Sequence, residues 1–132
     1  MTVTSSNAEI IINDILSIND EILAISIIDM KGNILAAKSK ESFKEAFGVT
    51  RDGDKYGGSL AVAALSLVNQ VRNVVGEVQA IITIHKDCKM MLVPLPAYQI
   101  LVGLVLLRSV NAEDHKIAHK IERLIADALW YM

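Results

Sequence analysis

The stretch GGSLAVAALSLVNQVRNVVGEV, residues 57–78, is the feature that most constrains the fold of this chain. Placed on a helical wheel at about 100° per residue, its apolar arc covers roughly half of the circumference. A helix with one core contact needs an apolar stripe of only about 100°. The predicted helix therefore carries apolar surface on a second side, and that surface needs a partner of its own.

The overall composition supports the same interpretation. The 132 residues are enough for a single domain with one core, and residues 1–132 are predicted to form one domain. The chain is 52% hydrophobic with a mean hydropathy of +0.39, which in a small domain indicates a partner chain or a membrane. The longest apolar run, residues 100–107, is far shorter than the roughly 18–20 residues of a spanning helix, so membrane insertion is not expected.

Charge and cysteine content exclude other classes of protein. The formal net charge is −2, from 13 Lys and Arg against 15 Asp and Glu, so the basic footprint of a nucleic-acid binder is missing. Cys88 is the single cysteine, which rules out an intrachain disulfide and favours a reducing compartment. The first residues lack a basic region followed by an apolar stretch, so no secretory signal is expected. A cytoplasmic location is predicted.

The start of the chain predicts a helix. Residues 1–6 are small and polar and are expected to be frayed. The stretch NAEIIINDILSIN, residues 7–19, then places isoleucines and leucines near helical spacing. Ser6 or Asn7 is expected to cap this helix, with Glu9 early in it.

A hairpin is predicted next, followed by a less regular segment. EILAISIIDMKGNILAAK contains two strand-like runs around DMKGN, where Gly32 and Asn33 are expected at positive φ. Within residues 38–58, SKESFKEAFGV predicts a short amphipathic helix, and a polar, glycine-rich loop follows it. The core side of that short helix is expected to carry Phe43, Phe47 and Val49.

Three further strands and a last helix complete the predicted order. Gly76 is expected to end the central helix, before the strand-like runs VQAIITIHK, KMMLVPLP and YQILVGLVLLRS. Pro94 and Pro96 place the end of the middle run at a sheet edge or at its exit. Residues 111–131 predict a helix capped by Asn111 or Asp114. Its apolar stripe comprises Ile117, Ile121, Leu124, Ile125 and Ala128. This order predicts an α+β domain of two or three layers.

Candidate catalytic and metal-binding residues are weak. His115, His119 and Glu122 have the spacing of metal ligands on the last helix, but a solvated helix face explains all three. His85 and Cys88 flank a predicted turn without the orienting group and oxyanion hole that nucleophilic catalysis requires. The sequence therefore predicts no catalytic residue, no metal site and no cofactor, and a protein that is not an enzyme.

The element order and several local sequences resemble the Roadblock/dynein light chain family. The matching stretches are ISIIDMKGNILAAK, the central helix, and the trio AIITIH, KMMLVPL and YQILVGLVLL, over about residues 8–130. They are apolar patterns with a D-x-x-G hairpin and contain no catalytic signature. The resemblance implies an α+β fold with a five-stranded antiparallel sheet and helices on both faces, in the order helix-strand-strand-helix-strand-strand-strand-helix. It is closest to the stand-alone type of bacteria and archaea.

The resemblance also implies a homodimer. Roadblock proteins typically dimerise through the central helix and the strand that follows it. In such a dimer AIITIH pairs with its twin across a two-fold axis, which hides a sheet edge. The residues expected at the dimer interface are Leu60, Ala63, Leu67, Val71, Val74, Ile81 and Thr83. The alternative is a central helix that is simply well buried within a monomer.

The function implied by the resemblance is that of a non-enzymatic platform for a Ras-like small GTPase, as an activating protein or a scaffold. The expected partner-binding face comprises Ser66, Asn69, Gln70, Arg72, Asn73 and Glu77. A solvated surface arginine is the simpler explanation of Arg72. The competing hypotheses are a small-molecule-sensing domain and a general protein–protein scaffold without a GTPase partner. The sequence disfavours a sensor because its apolar core positions leave few polar groups to orient a ligand.

Overall fold

The helices and strands follow the predicted order. The computed structural model describes residues 3–18, 20–41, 43, 55–86, 88–107 and 114–130, without the side chains of residues 55–63, 65, 114 and 115. The elements are α1 (Ser5–Leu16), β1 (Ile22–Asp29), β2 (Ile34–Ser39), α2 (Lys55–Val75), β3 (Ile81–Ile84), β4 (Cys88–Leu95), a 3₁₀ turn (Pro96–Tyr98), β5 (Ile100–Leu107) and α3 (Asp114–Trp130).

The five strands form one antiparallel sheet in the order β2-β1-β5-β4-β3. Helices α1 and α3 pack on one face of this sheet, against the main core. Helix α2 lies against the other face, where it contacts β1, β4 and β5. The predicted α+β fold, a five-stranded antiparallel sheet with helices on both faces, is therefore confirmed.

The main core, between the sheet and helices α1 and α3, is almost wholly aliphatic. Helix α1 supplies buried side chains at helical spacing, namely Ala8, Ile11, Ile12, Ile15 and Leu16. Helix α3 supplies Ile117, Ala118, Ile121, Ile125 and Leu129, while the predicted stripe members Leu124 and Ala128 are only partly buried. Alternate residues of the strands complete the layer, because successive strand side chains point to opposite faces. The helical periodicities thus identified most of this core correctly.

Helix α1 starts earlier than predicted. The Thr4 hydroxyl oxygen accepts a hydrogen bond from the Asn7 backbone N–H at 3.2 Å, so Thr4 is the cap in place of Ser6 or Asn7. Val3 is buried, and its N–H donates to the Tyr98 carbonyl oxygen at 3.4 Å. The expectation of a frayed start is therefore wrong for residues 3–6, because burial and capping tie them to the domain.

The turn between β1 and β2 is organised by one carboxylate. Asp29 accepts hydrogen bonds from the Lys31 and Asn33 backbone N–H groups, at 2.8 and 2.9 Å, and from the Asn33 side-chain amide at 3.0 Å. Gly32 has a φ of +88°, as predicted, but Asn33 does not have a positive φ and acts as a donor instead. Desolvation raises the pKa of Asp29, but the hydrogen bonds from Asn33 and Lys31 outweigh it and hold that pKa below its usual value.

Replacing Asp29 by alanine should lower the free energy of unfolding by about 1–2 kcal/mol, because three donors lose a charged acceptor. The folded-state pKa of Asp29 is depressed, so this stabilisation is present above the unfolded-state pKa and is lost as the pH falls through the folded-state pKa. Urea unfolding at neutral pH and at about pH 3 should show a smaller difference from wild type in acid. Lys31→Ala, which retains the backbone donor, is the control. A loss that is equal at both pH values would contradict this account.

The limits of α2 differ from the prediction at one end. Gly76, with a φ of +94°, ends the helix as expected, and its N–H donates to the Arg72 carbonyl oxygen at 3.0 Å. At the other end the helix begins at Lys55, so residues 55–58, predicted as a loop, are helical. Two adjacent glycines disfavour a helix by about 1 kcal/mol each, and the continuous helix overrides that local preference.

The segment between β2 and α2 is only partly described. Phe43 is partly buried, and its N–H donates to the Lys40 carbonyl oxygen at 3.0 Å. Phe47 and Val49, predicted on the core side of a short helix, lie outside the described residues. That short helix remains a prediction.

Strand β4 ends near Pro94 and Pro96, as the sequence predicts. Pro94 lies two residues past Leu92, which forms the last pair with β3 through Ile81. The missing N–H of Pro94 therefore removes no hydrogen bond from the β3–β4 pair. Pro96 follows the strand and opens the 3₁₀ turn.

Candidate protein interface on helix α2 and strand β3

Strand β3 forms one edge of the sheet, where the described residues pair only with β4. Ile81 and Thr83 share the α2 face with their partners Leu92 and Met90, because directly opposed residues point to the same side. Ile82 and Ile84 therefore point to the other face, and they are 40% and 68% exposed. The edge thus presents both free backbone groups and apolar side chains.

The opposite edge, β2, has different chemistry. Lys38 is exposed on it, and its Nζ donates to the Asn13 side-chain oxygen at 2.6 Å. Lys40 follows directly after the strand, and its Nζ donates to the Asp20 carbonyl oxygen at 3.0 Å. Lysines on an edge strand discourage pairing with another chain, whereas β3, with the sequence IITI, carries no charge. Of the two edges, β3 is the one compatible with a further strand.

Helix α2 leaves an apolar stripe uncovered. Among its described side chains Val68 alone is buried, which identifies the side that faces the sheet. Leu67, Val71 and Val74 lie at positions i, i+4 and i+7 and form what we call the α2 stripe. Leu67 is 49% and Val74 83% exposed, and Val71 is partly buried. The sheet therefore satisfies only part of the wide apolar arc of this helix.

Known structures share this architecture. A Roadblock/LC7 domain from Streptomyces avermitilis superposes with a TM-score of 0.60 at 9% identity, over 90% of this chain and 92% of its own. The gliding protein MglB from Thermus thermophilus superposes with a TM-score of 0.64 at 13% identity, over 97% of this chain and 92% of its own. An MglB structure with a tetrameric arrangement superposes with a TM-score of 0.60 at 15% identity, over 94% of this chain and 91% of its own. The chain has the Roadblock fold.

Structural similarity alone shows the Roadblock fold. No protein-family model and no curated protein matches the sequence. The resemblance noted in the sequence is therefore confirmed for the fold, which spans nearly the whole chain.

Three of the predicted dimer-interface residues of this Roadblock fold, Leu67, Val71 and Val74, come together in the α2 stripe. Ile81 and Thr83 lie elsewhere, on the side of β3 that faces α2. Leu60 and Ala63 belong to α2, but their side chains are outside the described part of the chain. The predicted interface does not include three further exposed apolar residues of α2 and β3, namely Val75, Ile82 and Ile84. The alternation within AIITIH was the available signal for the last two.

The predicted partner-binding residues divide between two surfaces. Five of them are exposed on α2 and form what we call the polar crest, namely Ser66, Asn69, Gln70, Arg72 and Asn73. Glu77 does not belong to this crest, because the helix ends at Val75 and Gly76 redirects the chain. It lines a groove of about 360 Å³ together with Tyr98, His119 and Glu122. The prediction of one continuous face is wrong in this respect.

Arg72 lies in the last turn of α2 and is exposed. A positive charge at a helix C-terminus interacts favourably with the helix dipole, which is a structural reason for an arginine there. Its guanidinium is nevertheless accessible to a partner that contacts the polar crest.

The weak chemical candidates are placed as follows. The His85 backbone N–H donates to the Cys88 carbonyl oxygen at 2.9 Å. The His85 ring nitrogen Nε2 lies 2.9 Å from the Thr83 hydroxyl. These contacts tie the β3–β4 connection together. His119 and Glu122 are exposed, while the side chain of His115 is not described. In the described part of the chain no three His, Cys, Asp or Glu side chains are grouped to hold a metal ion.

Further exposed apolar side chains lie on other elements, namely Ile10 on α1, Leu107 on β5 and Trp130 on α3. No helix within the described ranges combines the length and apolar character required to cross a bilayer. Unlike these single side chains, the α2 stripe groups three apolar residues on one helix face, as is typical of a protein-binding surface.

Proposed function

We propose that this protein is a non-enzymatic, cytoplasmic homodimer that binds and regulates a Ras-like small GTPase. The observation that carries the proposal is an uncovered apolar stripe on the central helix of a Roadblock fold. A sheet edge without charge accompanies it.

The dimer is supported by surface chemistry. Exposed valine and leucine at helical spacing cost free energy in water, and burial against a second copy removes that cost. The outer N–H and C=O groups of β3 would pair with the same strand of the second copy, as a two-fold axis requires. A solved MglB with the same fold has a tetrameric arrangement.

The GTPase partner is supported by the Roadblock resemblance and by the accessible polar crest. In the dimer proposed here, the α2 stripe faces the second copy and the polar crest remains free for a different protein. Regulation of a GTPase requires positioning more than covalent chemistry, either by fixing a switch loop or by placing an arginine at the phosphates. Arg72 supplies an exposed guanidinium on this crest.

The direct test is capture from lysate of the source organism. The immobilised protein is exposed to lysate loaded with GDP or with a non-hydrolysable GTP analogue, and retained proteins are identified by mass spectrometry. Retention of a small GTPase in one nucleotide state, followed by binding of the purified pair, supports the proposal. Absence of any GTPase in both states argues against it.

The double variant Arg72→Glu/Asn73→Ala should weaken binding of that GTPase at least about tenfold, equivalent to about 1.4 kcal/mol. Both side chains are exposed, so the melting temperature should stay close to wild type. Titration calorimetry measures the affinity. Lys120→Glu, a charge reversal at an exposed position of α3, is the matched control. An unchanged affinity in the double variant would remove the polar crest as the binding face.

A further inference from the structure

A cavity of about 260 Å³ lies between α2 and the sheet. On the sheet side it is lined by three short residues, Ala24, Ser26 and Gly103, and among the described side chains of α2 it is lined by Ala64. Larger apolar side chains surround these positions, namely Ile28, Ile81, Met90, Leu92 and Val105.

The space is a consequence of the strand register. Ser26 of β1 pairs directly with Gly103 of β5, and Gly103 pairs with Leu92 of β4. Two short residues on neighbouring strands therefore lie side by side beneath α2. A Cβ added at Gly103 would meet the Leu92 Cδ2 atom at 3.4 Å and the Ile28 Cδ1 atom at 3.9 Å, which are ordinary contacts. The neighbouring side chains thus leave room above Gly103.

The cavity opens to solvent on the side of Thr83 and His85, which are both exposed. An apolar cavity of about 150 Å³ stays dry and takes up benzene. The larger space here is sufficient for a two-ring molecule. None of the described lining residues is Asp, Glu, Lys or Arg, and most of them are apolar.

Two polar side chains line the cavity from β3 and its exit. The Thr83 hydroxyl and the His85 ring nitrogen Nε2 lie 2.9 Å apart, and both residues are exposed to solvent. This arrangement provides an apolar interior with a hydrogen-bonding group at one side, as is usual in small-molecule sites.

From this geometry we propose that the cavity between α2 and the sheet binds a small, uncharged, largely apolar molecule with a single hydrogen-bonding group, which Thr83 and His85 contact. The ligand enters the domain independently of any GTPase. The sheet face beneath α2 would then bind a ligand as well as support the helix.

The test uses 2-naphthol as the neutral probe and naphthalene-2-sulfonate as its charged counterpart, with the full-length protein and ligand-observed NMR. We expect 2-naphthol to bind and the sulfonate to bind at least about tenfold more weakly, because an anion loses its hydration on entering a largely apolar cavity. Gly103→Val, which fills the space from β5, should weaken the binding of 2-naphthol at least tenfold. Ala37→Val is the matched control, because Ala37 pairs with Ser26 on its other side and does not line the cavity.

Two results would overturn the proposal. One is the absence of 2-naphthol binding to the wild-type protein. The other is equal binding to wild type and Gly103→Val, which would locate the probe on another apolar surface such as the α2 stripe. If Gly103→Val does not fold by circular dichroism, Ser26→Val fills the same space from β1 and is judged by the same criterion.

Discussion

Val74→Asp is expected to weaken self-association of the protein at least about 100-fold, equivalent to about 2.7 kcal/mol. Val74 is 83% exposed and contributes little to the packing of its own chain, so the variant should fold normally. In a dimer that covers the α2 stripe, the aspartate would bring an unpaired carboxylate into an apolar contact, which is unfavourable. Sedimentation velocity over a range of protein concentrations measures the effect.

Asn73→Asp is the matched control for this prediction, since it introduces the same charge one residue away on the polar crest. Its self-association should stay within about twofold of wild type, well under 1 kcal/mol. Wild-type protein that is monomeric throughout the concentration range would contradict the dimer. Val74→Asp protein that associates as strongly as wild type would show instead that the stripe is not the interface.

Truncation of Leu106 to alanine is expected to lower the free energy of unfolding by about 3–4 kcal/mol, because Leu106 is fully buried in the main core. The corresponding fall in melting temperature is about 10–15 °C for a domain of this size. Leu92→Ala removes the same atoms from the α2 face, where the side chain is only partly buried and borders an existing cavity. We expect it to cost about 1 kcal/mol.

The two leucine variants together measure how unequally the sheet is covered. Both should be unfolded in urea at one protein concentration, because the stability of an associating protein depends on concentration. Equal losses of stability would mean that α2 is packed as tightly as α1 and α3. The expected inequality follows from Ala24, Ser26 and Gly103, whose short side chains line the cavity beside Leu92.

Features encoded by neighbouring residues were predictable from the sequence. The hairpin around Gly32, the end of α2 at Gly76 and the buried stripe of α3 depend on turn chemistry and helical periodicity. The sequence does not single out Thr4 as the cap, because Ser6 and Asn7 are at least as good capping residues. The burial of Val3, which the sequence does not reveal, favours a helix start at Thr4. The start of α2 was missed because intrinsic propensity is a weak guide against a long helix.

The candidate sites depend on positions that only the sheet defines. The resemblance implied that β3 is a sheet edge, and the strand order confirms it. Which two of its alternating residues face away from α2 follows only from the register with β4. The cavity depends on the register that places Ser26 beside Gly103, residues far apart in the chain. Glu77 was grouped with the partner-binding residues of the helix although it follows Gly76, where the backbone leaves the helix.

The contrast between the two sheet edges also determines how large an assembly can become. A protein with two receptive edges adds subunits at both ends and grows into a filament. In this chain Lys38 and Lys40 make the β2 edge unreceptive, so two copies joined through β3 would present lysines at both outer ends. If the proposed β3 dimer forms, these lysines would disfavour pairing with a third copy, so growth by strand pairing would stop at a closed pair.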